Sequence, residues 1–177
     1  FTIEIKPEEL VEQIKKYSYE FNPGDKLQYN NSGYFILGYI IEKVSGTSYN
    51  EFLKENLFDP AGMKNTGVYT SSAKLENEAL GYSYQNDSVS KALNWDMSHA
   101  GGAGSLYSTV EDLFKWNEAL FHGKILNEES LHAAFTPVET KDSNNNNYGY
   151  GWFTTEIRGL KDISHSGGLH GFNSDLA

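Results

Sequence analysis

Leu27-Gln28-Tyr29-Asn30-Asn31-Ser32-Gly33-Tyr34-Phe35-Ile36-Leu37-Gly38-Tyr39-Ile40-Ile41-Glu42-Lys43-Val44-Ser45-Gly46 is the stretch on which the reading of this chain turns. From Ser32 to Val44 it is apolar nearly all the way round, which predicts a central helix too greasy to face water. Ser45-Gly46 supplies a natural stop, because glycine accepts the left-handed conformation that commonly ends helices. Tyr29 and Asn31, two positions apart, stand just ahead of that helix, where polar groups can be held rigidly at a buried edge.

Upstream, Pro7-Glu8-Glu9 with Leu10, Val11 and Ile14 reads as the start of an amphipathic helix: proline suits the first turn and acids suit the positive end of the macrodipole. Asn22-Pro23-Gly24-Asp25 has the chemistry of a turn that delivers the chain to Tyr29. Downstream, Ser48 opens a second helix through Phe52, Leu53 and Leu57, closed by Pro60 and Gly62. Residues 66–99 show no clean period and read as irregular with short strands. Ala100 to Ser105 reads as a flexible glycine turn, and Ser108 with Glu111 reads as a capping box for a helix carrying Leu113, Phe114, Trp116, Leu120 and Phe121. Gly123 ends that helix, Asn127 caps a short one that Pro137 stops, and Lys141 to Asn147 is a polar loop. The pattern then changes to strands: Tyr148 to Ile157, Asp162 to His165, and Phe172 onward, separated by Arg158-Gly159 and by Gly167-Gly168. The expectation is an α+β chain, mainly helical over 1–147 and sheet-forming over 148–177.

The chain has 177 residues, 24 acidic and 14 basic, for a net charge of −10. A surface of that sign repels a phosphate backbone, so nucleic acid is not an expected partner. The absence of cysteine excludes disulfides and thiolate metal sites. No apolar run reaches the roughly 18 residues that a membrane span needs. The chain starts without methionine and ends at Leu176-Ala177 within an expected strand, so 1–177 reads as a single partial domain of something longer.

Two clusters could carry chemistry, Tyr29-x-Asn31 and His165-Ser166-Gly167-Gly168. A tyrosine hydroxyl becomes a useful acid or base at neutral pH when a cation lowers its pKa from about 10. A histidine at a strand end, followed by glycines that expose backbone N–H groups, can provide a charge and an anion-binding edge together. Each cluster also has a plain structural reading. Tyr29 is one of 12 tyrosines and could be a core ring, Asn31 could be only the cap of the following helix, and the glycines after His165 could serve a hairpin. His99, His122, His132 and His170 lack metal-ligand spacing, and no glycine pattern follows a strand as a phosphate loop would.

Tyr29-Asn30-Asn31-Ser32-Gly33-Tyr34-x-x-Leu37-Gly38-x-Ile40-Ile41-Glu42-x-Val44-Ser45-Gly46, followed by Pro60-x-Gly62-Met63-x-x-Thr66, resembles the serine β-lactamase and penicillin-binding-protein-like superfamily. The branch it resembles holds class C β-lactamases, D-aminopeptidases, D,D-peptidases and esterases. Gly101-Gly102-x-Gly104-Ser105 with Ser108-Thr109-x-x-Asp112-Leu113, Tyr148-Gly149-Tyr150-Gly151-Trp152, and His165-Ser166-Gly167-Gly168 with Gly171-Phe172 follow in the order this family uses. The resemblance implies an antiparallel sheet flanked by helices beside a mostly helical lobe, incomplete here at both ends. It implies no metal or organic cofactor. Tyr29 resembles the tyrosine that exchanges a proton with the nucleophile or leaving group, and Asn31 the asparagine that holds the substrate amide. His165 stands where many relatives carry lysine, Ser166 and Gly167 complete that triplet, and Gly168 falls where a backbone N–H forms half of an oxyanion hole.

The departure from the pattern is the nucleophile. The family's serine belongs to a Ser-x-x-Lys motif at a helix start, where i, i+3 spacing puts both side chains on one face. It belongs upstream of the tyrosine motif, and no such motif stands there. The formal match Ser71-Ser72-Ala73-Lys74 follows the Thr66 region and lacks an apolar helix to bury its lysine, so the chain is expected to carry no nucleophile. The expectation is a segment of a serine hydrolase acting on an amide, lactam or ester carbonyl of a small molecule or peptide, inactive by itself; the residues do not set its compartment, and the resemblance alone favours an exported parent. Histidine in place of lysine favours an esterase- or peptidase-like enzyme over an efficient β-lactamase, because histidine is only partly charged near pH 7. The alternative is a non-catalytic binding or regulatory module that keeps the fold. Either way an unpaired sheet edge is expected, to be covered by the missing part of the parent or by self-association.

Overall fold

Pro7 occupies the first turn of α1 (Pro7–Ile14), where its missing N–H costs nothing, with Glu8 and Glu9 beside it. The structure, a computed structural model, describes residues 2–142 and 146–177. Of the asparagine run expected in a solvated loop, Asn144 and Asn145 lie outside the described residues. Lys43 on the next helix reaches Glu8 at 2.8 Å. Both side chains are half exposed, so solvent screens this bridge and it adds little to stability.

The turn at 22–25 forms with Asp25 N–H donating to the Asn22 carbonyl at 3.1 Å, and the chain enters α2 (Asn31–Ser45). The cap is Asn30, one residue earlier than the plain reading of Asn31 allows. Asn30 has the extended backbone a cap requires, and its side-chain oxygen accepts the Ser32 N–H at 2.7 Å. Asn31 is thereby the first helical residue. Gly46 closes α2 in the left-handed conformation. The helix is less enclosed than its composition predicts: Phe35 and Gly38 are buried, whereas Leu37, Ile40 and Val44 are exposed.

The packed face of α2 explains the glycines at 100–105, which form a 3-10 turn, Gly101–Ala103, lying directly on that helix rather than a free loop. A Cβ on Gly38 would sit 3.1 Å from the Gly102 Cα, and one on Gly102 would sit 2.5 Å from the Tyr34 carbonyl oxygen. Only glycine on both sides permits this approach.

Ser48 caps α3 (Tyr49–Leu53) in a full capping box with Glu51. The chain continues through a π-helical turn, Lys54–Phe58, into α4 (Asp59–Ala61). Pro60 sits inside α4, so Gly62 alone is the stop. Leu53, Phe58 and Met63 are buried here, packed by Phe52, Leu57, Val68 and Trp116.

Two short antiparallel pairs follow: β1 (Gly67–Val68) with β4 (Leu106–Tyr107), and the hairpin β2 (Tyr82–Gln85) with β3 (Ser88–Lys91). Helix α5 (Val110–Phe121) is capped by Thr109, whose hydroxyl accepts the Asp112 N–H, and not by Ser108 with Glu111. The Ser108 hydroxyl instead lies 2.7 Å from that of Thr66. Asp112 is fully buried and accepts from the Asn65 N–H at 2.6 Å, the Thr66 hydroxyl at 3.0 Å and the Lys115 ammonium at 2.6 Å. Helix α6 (Glu128–Phe135), capped by Asn127, places Phe135 against Phe121 and Trp152.

The last third forms an antiparallel sheet of β5 (Phe153–Ile157), β6 (Leu160–Leu169) and β7 (Phe172–Leu176) in that order. The turn at Arg158-Gly159 is where the sequence puts it. The second turn is not: Gly167 and Gly168 lie inside β6, opposite Ser174 and Asn173, and the chain reverses at His170-Gly171, with Gly171 at φ +80°. The fold is thus α+β, with helices and small antiparallel sheets.

Candidate active site

Tyr34, on the first turn of α2, and Tyr148, in the tight turn ahead of β5, meet through their hydroxyls. The Tyr148 hydroxyl donates to that of Tyr34 at 2.8 Å. Tyr148 is fixed along its backbone as well: its N–H donates to the Asn146 side chain at 3.2 Å, and its carbonyl accepts the Val138 N–H at 3.1 Å. Within the same turn Gly149 N–H donates to the Trp152 carbonyl at 2.8 Å, and Tyr150 N–H donates to the Ala134 carbonyl of α6 at 2.9 Å. A strand running unbroken from Tyr148 is therefore not formed; the strand begins at Phe153. Tyr148 is 7% exposed. Burial foremost, then the Tyr34 hydroxyl, holds the Tyr148 phenol well above the usual tyrosine range, so it remains protonated at neutral pH.

His165 comes to this pair from β6, in mid-strand and not at a strand end. Its Nε2 lies 3.3 Å from the Tyr148 hydroxyl and its Nδ1 2.6 Å from the Ser166 carbonyl oxygen. Tyr29 completes the group. Its ring centroid is 5.9 Å from the His165 ring, 5.9 Å edge-on from Tyr148 and 6.4 Å in a stack with Tyr34. Phe153 backs the imidazole at 5.4 Å. Tyr29 is 48% exposed, so the cluster is anchored by a buried tyrosine and presents a half-open one.

The two halves of β6 have different neighbours. Leu160 to Ser164 pair with β5, whereas His165 to Leu169 pair with β7. Among the described residues, no strand pairs with the second half on the β5 side, so this edge is open. A two-residue turn closes on a hydrogen-bonded pair, here Leu169 with Phe172. By alternation, Gly168 opposite Asn173 and Ser166 opposite Asp175 form non-hydrogen-bonded pairs, and their N–H groups point to the open edge. Ser166, Gly167 and Gly168 are all exposed.

Asn31 sits at the start of α2 with an exposed side chain that makes no hydrogen bond among the described residues. Ser71 and Ser72 lie in a turn closed by the Ala73 N–H donating to the Thr70 carbonyl at 3.0 Å, and Lys74, beyond it, is exposed. Ser71 borders a cavity of about 150 Å³ beside Phe35, Gly38 and Gly102. None of Tyr29, Asn31 and His165 lines that cavity.

Tyr34 and Tyr148 carry no role in the reading of the sequence. Both belong to motifs quoted there, but a hydroxyl that pairs only in three dimensions leaves no local signal among 12 tyrosines.

The model of the beta-lactamase family matches residues 2–176. Among curated relatives, a penicillin-binding protein of Bacillus subtilis (strain 168) is 33% identical over 168 residues, covering 87% of this chain and 37% of its own length. The putative penicillin-binding protein PbpX of the same organism is 31% identical over 169 residues, with 96% and 41% covered. Among solved structures, a D-stereospecific amidohydrolase from Streptomyces sp. superposes with a TM-score of 0.82 at 29% identity, covering 95% of this chain and 51% of that one. The chain spans about two fifths of the length of the curated relatives it matches. By the match over nearly its whole length, the chain belongs to the beta-lactamase family, within the serine β-lactamase and penicillin-binding-protein-like superfamily of serine hydrolases.

Proposed function

We propose that this chain supplies the second and third elements of a serine acyl-hydrolase site, and that the nucleophilic serine lies outside residues 1–177. Tyr29 exchanges the proton of the nucleophile and leaving group, Asn31 holds the substrate amide, and His165 takes the place of the lysine common in the family. Ser166 and Gly167 line the edge, and the Gly168 N–H serves the oxyanion, an interaction of about 3 kcal/mol. The substrate is a small molecule or peptide with an amide, lactam or ester carbonyl. A serine attacks it, Tyr29 protonates the leaving group, and water releases the acyl group with Tyr29 as base.

The observation that carries this reading is the meeting of Tyr29 with His165 at 5.9 Å beside an open strand edge, from segments far apart in the chain. The family and the D-stereospecific amidohydrolase among its structural neighbours support the reaction class. A fluorophosphonate probe applied to the intact parent and to this chain tests it. The expected adduct is on a parental serine outside 1–177, with none on the isolated chain. An adduct at Ser71 refutes the assignment of the nucleophile.

A further inference from the structure

Helix α2, the start of α3, the end of β1 and the 3-10 turn Met97–His99 close around the cavity of about 150 Å³ that Ser71 borders. The Ile5 N–H donates to the Ser98 hydroxyl at 2.9 Å, which ties the N-terminal segment to that turn and brings Glu4 and Pro7 to the lining. A space of this volume takes a single six-membered ring. Its walls are aromatic: Phe35 and Tyr39 of α2, Tyr49 of α3 and Tyr69 just after β1 line it. A Cβ on Gly38 would lie 3.6 Å from the Tyr49 ring, so that ring lies on the face of α2 that also meets Gly102.

The charge in the lining has one sign. Glu4, Glu42 and Asp96 belong to it, and no lysine, arginine or histidine does. Glu42 and Asp96 are partly buried, and a backbone donor pins each: the Tyr49 N–H donates to Glu42 Oε1 at 2.8 Å, and the Ser98 N–H to Asp96 Oδ1 at 3.0 Å. A carboxylate offers about four acceptor sites, so lone pairs remain on both. Lys43, next to Glu42 in sequence, is turned to Glu8 at 2.8 Å. His99, close to Asp96 in sequence, lies outside the lining, with Nε2 on the Ile3 carbonyl at 2.8 Å. Aromatic faces attract a cation, and carboxylates set against apolar walls are costly until a cation joins them.

We propose that this cavity binds a small organic cation: a single-ring primary amine whose ring fills the aromatic space and whose ammonium is held by Glu42 and Asp96. Glu4 adds its charge at the exposed rim. The net charge of −10 draws such cations to the chain. The inference goes beyond the acyl-hydrolase reading and uses none of the residues assigned to it.

Benzylamine is the probe, with benzyl alcohol and benzoate as neutral and anionic controls of similar size. Binding to the chain is followed by 15N-edited NMR near pH 7. The amine should give saturable shifts in the backbone signals of Tyr49, Tyr69 and Gly102. The alcohol should bind about tenfold more weakly or worse, the scale of one charge-assisted hydrogen bond, and benzoate should not bind. Glu42→Gln combined with Asp96→Asn keeps an oxygen for each backbone donor and removes the charge. This double variant should bind the amine about tenfold more weakly and the alcohol unchanged. A thermal melt shows whether it folds; if it does not, the three probes on the unaltered chain decide. Equal binding of amine and alcohol, binding of benzoate, shifts centred elsewhere, or no saturable shift overturns the proposal. So does a folded double variant that keeps the preference for the amine. The intact parent, titrated with benzylamine by calorimetry, should bind it as the chain does; no binding there means that another part of the parent fills the cavity, and overturns the proposal. None of these readouts depends on where the nucleophile lies, so the cavity assignment and the proposed function fail separately.

Discussion

Replacing Asp112 by asparagine keeps the shape of a fully buried side chain and removes its charge. The carboxylate accepts three bonds from outside its own cap, at 2.6 Å from the Asn65 N–H, 3.0 Å from the Thr66 hydroxyl and 2.6 Å from Lys115. An amide oxygen can keep both the Asn65 and the Thr66 bonds, which fall on one carboxylate oxygen. Lys115 is left facing an NH2 group, donor against donor. Hydrogen bonds to charged groups are worth about 1.5–3 kcal/mol, and breaking one partner out of a buried pair costs about 3–5 kcal/mol. Lys115 is 42% exposed, and water can replace part of what it loses, so the lower end applies, about 3 kcal/mol. For a chain of this size that is a fall in Tm of about 6–12 °C. The pH dependence has a definite sign. Burial raises the Asp112 pKa, but Lys115, the Asn65 N–H and the Thr66 hydroxyl outweigh it and hold the group below the ordinary carboxylate value. Its stabilisation is present above the unfolded carboxylate pKa of about 3.9 and is lost as pH falls through the lower folded value. Urea melts of both proteins should differ by about 3 kcal/mol at pH 7, with the gap closing below about pH 4. A gap under 1 kcal/mol at pH 7, or one that widens in acid, refutes the reasoning.

Gly102→Ala places a methyl carbon 2.5 Å from the Tyr34 carbonyl oxygen, so α2 must back away; we expect a loss of about 1–3 kcal/mol by urea melt together with perturbed Tyr34 and Tyr148 ring signals in NMR. Ser48→Ala removes one half of the capping box with Glu51 and should cost about 1 kcal/mol in the same melt, without changing those signals.

How far the sequence could be read depended on whether each signal was local. The α2 stretch was legible because its caps and apolar run lie within twenty positions. The shift from Asn31 to Asn30 as cap is a matter of backbone conformation, which two adjacent asparagines do not reveal. Gly167-Gly168 misled because glycine pairs are common in turns. In β6 they remain in the strand, and the chain reverses at His170-Gly171, where Gly171 supplies the positive φ. Ser108 with Glu111 fitted a capping box in spacing, but the Ser108 hydroxyl is turned to Thr66, and Thr109 is left as cap. Gly101 and Gly102 read as freedom and serve close packing instead, since the neighbours that demand them, Phe35 and Tyr34, are remote in sequence. The exposed Leu37, Ile40 and Val44 show the converse: an apolar sequence does not say which part of a protein covers it. Of the candidate site, Tyr29 and His165 were found through ordered motifs, whereas Tyr34 and Tyr148 needed the three-dimensional meeting of their hydroxyls.

The central claim is that Tyr29 moves the proton in an acyl-transfer reaction. Its most direct test is Tyr29→Phe in the intact parent, with kcat and KM measured on an ester or amide substrate that the parent hydrolyses. The account predicts a fall in kcat of about 10²-fold or more with KM little changed, the scale of a lost general acid–base. A variant whose kcat stays within about twofold of the parent's would contradict it.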